Sequence, residues 1–147
     1  MRIAIMLFIC TIFAACGKPA SGPEEQIRQW VADAESHIEN KERSDLMDMI
    51  SSAYTDGRGN DKDSIDKRVR AIFFRMNNIT MANTIDEIKA NADSAAEVFM
   101  TVGMIGTESS ALGLDADAYR FHLELEHDGD EWLLIGARYG KLGGDMR

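Results

Sequence analysis

Tyr119, Phe121, Leu123 and Leu125 alternate with Arg120, His122, Glu124 and Glu126, and a second apolar run follows from Trp132 to Tyr139. A period of two places alternate side chains on opposite faces, so Tyr119 to His127 reads as a strand with one apolar face. Asp128-Gly129-Asp130 between the runs is a turn signal. The C-terminal part of the chain must therefore be a hairpin with one face to cover. Two registers are open. A three-residue loop sets Leu125, Leu123, Phe121 and Tyr119 opposite Leu133, Ile135, Ala137 and Tyr139, with Arg120 facing Arg138. A two-residue loop turns Trp132 and Leu134 inward instead. The second strand is apolar on both faces near Trp132, and a bulge would satisfy both.

The cover comes from upstream. Pro23, with Ser21 before it and Glu24-Glu25 after it, marks a helix start, and Ile27, Trp30, Val31, Ala34 and Ile38 recur at helical spacing. A second helix fits Ser44 to Ser52, with Leu46, Met47 and Ile50 inward. Tyr54 to Asp61 reads as a loop broken by Gly57 and Gly59. Asp63 or Ser64 caps a third helix with a stripe of Ile65, Val69, Ile72, Phe73 and Met76. The period then falls towards two, which predicts strands over Ile79 to Lys89 and Ala95 to Met104. Gly106 to Ala118 reads as the longest loop.

The N-terminus sets the location. An apolar run, Ile3 to Phe13, follows Arg2 and ends in Ala14-Ala15-Cys16. It falls short of the roughly 20 apolar residues of a spanning helix and has the order of a secretory signal. Phe13-Ala14-Ala15-Cys16 resembles the lipobox of bacterial lipoproteins, with Phe13 where Leu is usual. The resemblance implies that residues 1–15 are removed and that Cys16 carries the lipid. An ordinary cleaved signal is the alternative. Gly17 follows the cysteine; an Asp there would resemble an inner-membrane retention signal, so the expectation is a cell-envelope protein, on the outer membrane facing the periplasm in a Gram-negative cell. Residues 16–22 form a tether of small and breaker residues, which spans roughly 20 Å when extended. Residues 23–142 form one domain, and 143–147 a short tail.

Composition narrows the partners. The two cysteines are Cys10 and Cys16. Loss of the first and acylation of the second leave no thiol for a disulfide or a thiolate metal site. The net charge is −9, and loss of Arg2 with the signal makes the mature chain one unit more negative. Nucleic acid is an unfavourable partner for that surface, and anionic head groups repel it, so membrane attachment falls to the acyl chains.

Three helices packed on a curved, mainly antiparallel four-stranded sheet, an α+β arrangement, resemble the nuclear transport factor 2-like, or cystatin-like, cone. The residues that carry the resemblance are Tyr54-Thr55-Asp56, Tyr119-Arg120-Phe121, and Trp132 to Arg138-Tyr139 after the Asp-Gly turn. Ketosteroid isomerases, polyketide cyclases and non-catalytic binding domains share the cone, so fold alone does not give function. The resemblance implies a pocket lined by some of Trp30, Tyr54, Phe73, Tyr119, Phe121 and Trp132. Isomerase chemistry requires a carboxylate base and a phenol to hold an enolate. Asp56 stands near such a base position, with Tyr54 or Tyr119 as the phenol, but the first helix carries Trp30 and no Tyr. Asp56 reads instead as a residue of a solvated turn.

No pair of histidines among His37, His122 and His127 has ligand spacing, and Arg58 interrupts the calcium-like run from Asp56 to Asp61, so neither metal nor cofactor is expected. Met47, Met49, Met76, Met81, Met100 and Met104 read as core filler rather than a Cu(I) site. The expected function is non-catalytic binding of a small apolar ligand or a protein partner. An isomerase-like or cyclase-like enzyme is the alternative. A third reading is a homodimer through the face that bears Arg120, His122, Glu124 and Glu126.

Because Cys16 is the one thiol left after signal removal, Cys16→Ala should abolish incorporation of labelled fatty acid and shift the protein to precursor or to the soluble fraction. Unchanged labelling would exclude lipidation at this residue.

Overall fold

The computed structural model describes residues 22–91, 94–108 and 114–147. The signal, Cys16 and most of the tether lie outside them. The elements run α1 (Pro23–Glu39), α2 (Arg43–Asp48), β1 (Ile50–Asp56), α3 (Lys62–Arg75), β2 (Met76–Asn91), β3 (Ala95–Glu108), β4 (Leu114–Asp128) and β5 (Glu131–Lys141). One five-stranded sheet has the order β1-β5-β4-β3-β2. Only the β1–β5 pair is parallel. None of the described helices is long and apolar enough to cross a membrane.

The element order departs from the sequence expectation in several places. The sheet has five strands, and β1 lies between the second and third helices, so the three helices do not precede the sheet as a block. Helix two stops at Asp48, and the expected loop from Tyr54 is strand as far as Asp56. The sequence of β1, Ile-Ser-Ser-Ala-Tyr-Thr-Asp, is small and polar, and its burial does not alternate: Ile50 and Ser51 are both buried, as are Tyr54 and Asp56. Buried Ser51 is satisfied by Glu126, 3.2 Å away. The expected loop from Gly106 to Ala118 is also partly strand. Gly106 pairs with Asp115 and Thr107 with Leu114.

The hairpin takes the two-residue loop and the bulge. Asp128 faces Glu131 and Leu125 faces Leu134; the register then shifts, so that Glu124 faces Gly136 and Leu123 faces Ala137. The extra residue is Ile135. It keeps Trp132 and Leu134 on the same face as Ala137 and Tyr139. Arg138 then lies opposite His122, and the predicted clash with Arg120 disappears.

α1 packs on the inner face of the sheet. Ile27 and Val31 are fully enclosed, and Trp30, Ala34 and Ile38 lie against the same core. Pro23 opens the helix with Gly22 at the N-cap; Ser21, taken with Pro23 as a helix-start signal, lies outside the described residues. α3 is capped by Asp61 rather than by Asp63 or Ser64: its carboxylate accepts from the Ser64 backbone N–H at 2.9 Å and from the Ser64 hydroxyl at 2.6 Å.

Leu125 is 1 % exposed at the centre of the sheet. Leu125→Ala should cost about 2–5 kcal/mol in denaturant unfolding. Its neighbour Glu124 points outward to Arg138 at 3.3 Å, and Glu124→Ala should cost about 1 kcal/mol or less. The reverse ranking would show that the assignment of the two faces is wrong.

Candidate functional site

Between α1 and the inner face of the sheet lies a cavity of about 180 Å³. α1 contributes Trp30, Ala34, Glu35 and Ile38, and the segment after α2 contributes Met49 and Ile50. The wall opposite is sheet: Met81 and Asn83 of β2, Met100 of β3, Phe121 of β4 and Leu134 of β5. The strands reach this wall because their inward positions alternate, and the helix reaches it because its residues recur every three or four positions. The lining is apolar apart from three groups. Glu35 accepts a hydrogen bond from the Asn83 side chain. The third group, the Trp30 indole N–H, is buried and has no partner.

A second cluster gathers where β1 ends. Asp56 is buried, not solvated as its turn-like neighbours suggest. Its carboxylate accepts from the Arg58 N–H at 2.9 Å, the Asn60 N–H at 2.8 Å and the Asn60 side-chain amide at 2.7 Å. Burial by itself would raise its pKa; the hydrogen bonds from Asn60 and Arg58 and the nearby Arg68 outweigh that and hold the carboxyl below its ordinary 3.8. Gly59, at φ +77°, closes this turn in the left-handed region that suits glycine. Tyr54, also buried, has its phenol pushed well above the ordinary tyrosine range by burial, then by Asp56 and Tyr139, against the lowering effect of Arg68. Asp56 is thus a fixed anion that staples a turn. A general base needs a proton affinity near the working pH, and the lowered pKa of Asp56 moves it away from that.

No protein-family model matches the chain, and no curated protein matches it. Solved structures do. The chain is similar to a protein provisionally assigned as a scytalone dehydratase from Novosphingobium aromaticivorans, with 12% identity, 81% of this chain and 83% of that one covered, and a TM-score of 0.75. It is similar to a ketosteroid isomerase-like protein from Erwinia carotovora atroseptica, at 13% identity, 80% and 95% coverage and a TM-score of 0.65. It also resembles a protein provisionally assigned as a dehydratase of the nuclear transport factor 2-like family from Streptomyces avermitilis, at 11% identity, 82% and 97% coverage and a TM-score of 0.67. The fold is nuclear transport factor 2-like. Identities this low carry the fold and no activity.

Within the nuclear transport factor 2-like cone, the residues expected at the pocket part company. Trp30 and Phe121 line the cavity. Trp132 is buried in the core, where its indole donates to Gln26 at 3.0 Å and its ring meets His127 edge-on at 5.0 Å. Tyr119 packs beside Phe121, with ring centroids 6.4 Å apart, and Phe73 lies against the core from α3. Tyr54 belongs to the Asp56 cluster. The wall residues without a sequence signal are Met49, Met81 and Met100, which read as filler, and the pair Glu35–Asn83, which joins two elements far apart in the chain.

His122 lies on the other face of the sheet. It stacks on Phe99 at 4.3 Å, and its Nε2 meets Glu97 at 3.1 Å. Glu124 pairs with Arg138 on the same face. Near the α1–α2 corner, His37, Glu42 and Asp45 bring ligand atoms within 4.8 Å of one another, with His37 Nδ1 2.7 Å from Glu42. Sequence spacing of histidines alone does not find this group. It sits near the surface, where His37 and Glu42 share a hydrogen bond.

A carboxyl with a lowered folded-state pKa contributes stability above its ordinary value and loses it as pH falls through the folded value. For Asp56 that loss begins below 3.8. Urea unfolding between pH 6 and 2 should show a smaller acid loss of stability in Asp56→Asn than in the wild type, and the Asp56 carboxyl carbon should titrate below 3.8 by NMR. A titration midpoint above that value would contradict the hydrogen-bonded staple.

Proposed function

We propose that this chain is a lipoprotein that is held to a cell-envelope membrane through Cys16 and that binds a small apolar molecule in its cone without transforming it. The observation that carries the reading is the apolar cavity of about 180 Å³ between α1 and the sheet. Engineered cavities of roughly 150 Å³ with apolar walls take up benzene, so a cavity of this size suits a one-ring ligand. The absence of a free base at Asp56 supports binding without catalysis. Anchoring rests on Phe13-Ala14-Ala15-Cys16 and on the acidic surface, which offers no electrostatic attachment of its own.

A second reading has one observation in its favour. Glu35 puts a carboxylate on the wall of the cavity, and solved neighbours of the same fold are provisionally assigned as dehydratases. An elimination enzyme would use Glu35 as its base. Turnover of β-hydroxy carbonyl compounds that is lost in Glu35→Gln would favour this reading.

The binding reading is tested by titrating the full chain with toluene and following the methionine methyl signals by NMR. The signals of Met49, Met81 and Met100 should shift saturably, while Ala34→Phe, which fills the cavity, should remove the response. Methyl signals that toluene leaves unmoved would reject the pocket.

A further inference from the structure

α1 and α2 meet in a tight turn, and three side chains with metal-binding atoms converge there. The backbone makes the approach. The Glu42 N–H donates to the His37 carbonyl at 2.8 Å, which brings Glu42 back over the last turn of α1, and Asp45 follows three residues on in α2. One ligand atom from each of His37, Glu42 and Asp45 lies within 4.8 Å of the other two, and His37 Nδ1 is 2.7 Å from Glu42. A tetrahedral zinc ion, with bonds of about 2.0–2.2 Å to imidazole and carboxylate, holds its ligand atoms about 3.3–3.5 Å apart. The spacings in this group bracket that value. The imidazole is the more enclosed of the three, and the exposed carboxylates have room to close on an ion.

Charge supplies a second, independent argument. Lys41 and Arg43 flank Glu42 in the chain, yet neither serves the group. The Lys41 ammonium donates to the Met76 carbonyl, and Arg43 pairs with Asp66. Glu42 stands at the N-cap of α2, but its side chain caps no N–H and meets His37 instead. Two carboxylates are thus held close together with one imidazole and no cation, and a bound cation removes their repulsion. The other histidine–carboxylate contact, His122 with Glu97 at 3.1 Å, lacks a third ligand; among the described residues only the His37 group has three. The donor types choose the ion. Mg²⁺ takes oxygen ligands and keeps its waters, whereas imidazole beside carboxylates suits zinc.

We propose that His37, Glu42 and Asp45 bind one zinc ion at the α1–α2 corner, with the fourth position left to water. The ion replaces the His37–Glu42 hydrogen bond: a neutral imidazole turns its Nδ1 lone pair to the metal, and each carboxylate gives one oxygen. Because its ligands come from both helices, the ion ties the end of α1 to the start of α2. The site is separate from the cone and stands whatever the cone binds.

The test is a zinc titration of the full chain, stripped of metal and with Cys10 and Cys16 alkylated so that no thiolate competes. Calorimetry should give one saturable zinc per chain, which a large excess of Mg²⁺ does not displace. By NMR the His37 ring signals should shift with zinc while those of His122 and His127 stay still. Removing a group that only orients a ligand costs about 10–100-fold in metal affinity, so loss of a ligand should cost at least tenfold. Glu42→Gln, which can still hydrogen-bond His37, and Asp45→Asn should each weaken zinc binding by that factor. The wild-type histidine signals need no variant and stand if a variant fails to fold. No saturable binding, His122 signals that move as far as those of His37, or an affinity unchanged in either variant overturns the site.

Discussion

The cone depends on one extra residue in β5. A regular strand after the Asp-Gly turn would bury either Trp132 and Leu134 or Ile135 and Ala137, but not both phases of its apolar run. The shift beside Leu125 changes phase at Ile135, so Trp132, Leu134, Ala137 and Tyr139 share the inner face. A bulge also bends its strand and adds twist. A second shift, at Asp86 in β2, does the same at the far side of the sheet. A flat sheet would press evenly on α1. A bent one leaves room against the helix face that carries Trp30, Val31, Ala34 and Ile38, which is where the cavity lies.

Two buried polar groups show how differently the same cost is met. Asp56 is enclosed as an anion, and three donors within 2.9 Å hold it there. The arrangement is local, made by residues two and four positions on, so it fixes the turn between β1 and α3 whatever the cone contains. Trp30 is enclosed as a donor with nothing to receive it. The first group is complete and structural. The second is left without a partner among the described residues.

Sequence showed the hairpin best, because Tyr119 to Leu125 alternate cleanly and the Asp-Gly turn bounds them. It even posed the right question about β5, since a strand that is apolar on both faces demands a phase change. It hid β1, whose Ser51, Ser52 and Ala53 carry no periodicity and whose partner is the last strand of the chain. It also misread Asp56: Gly57, Gly59 and Asn60 have the composition of a solvated turn, yet the end of β1 and α3 close over the carboxylate. Of the aromatic residues expected at the pocket, Trp30 and Phe121 are there, while Trp132 and Tyr54 are used to fill and anchor the core. Apolar character says that a side chain is buried; it does not say which side of a curved sheet has the free space. The Glu35–Asn83 pair could not be read at all, since it exists only once α1 lies across β2.

The parallel edge has a consequence for the order of assembly. β1 is made early in the chain, but it pairs with β5, the last strand, so Ile50 waits for Leu134. Closing a loop that contains most of the domain is entropically unfavourable until other contacts have drawn the ends together. β2, β3, β4 and β5, each antiparallel to its neighbour, can zip in sequence without it. Loop-closure entropy therefore favours a route in which the edge strand, with the Asp56 turn and α3 that follow it, docks on a sheet already formed.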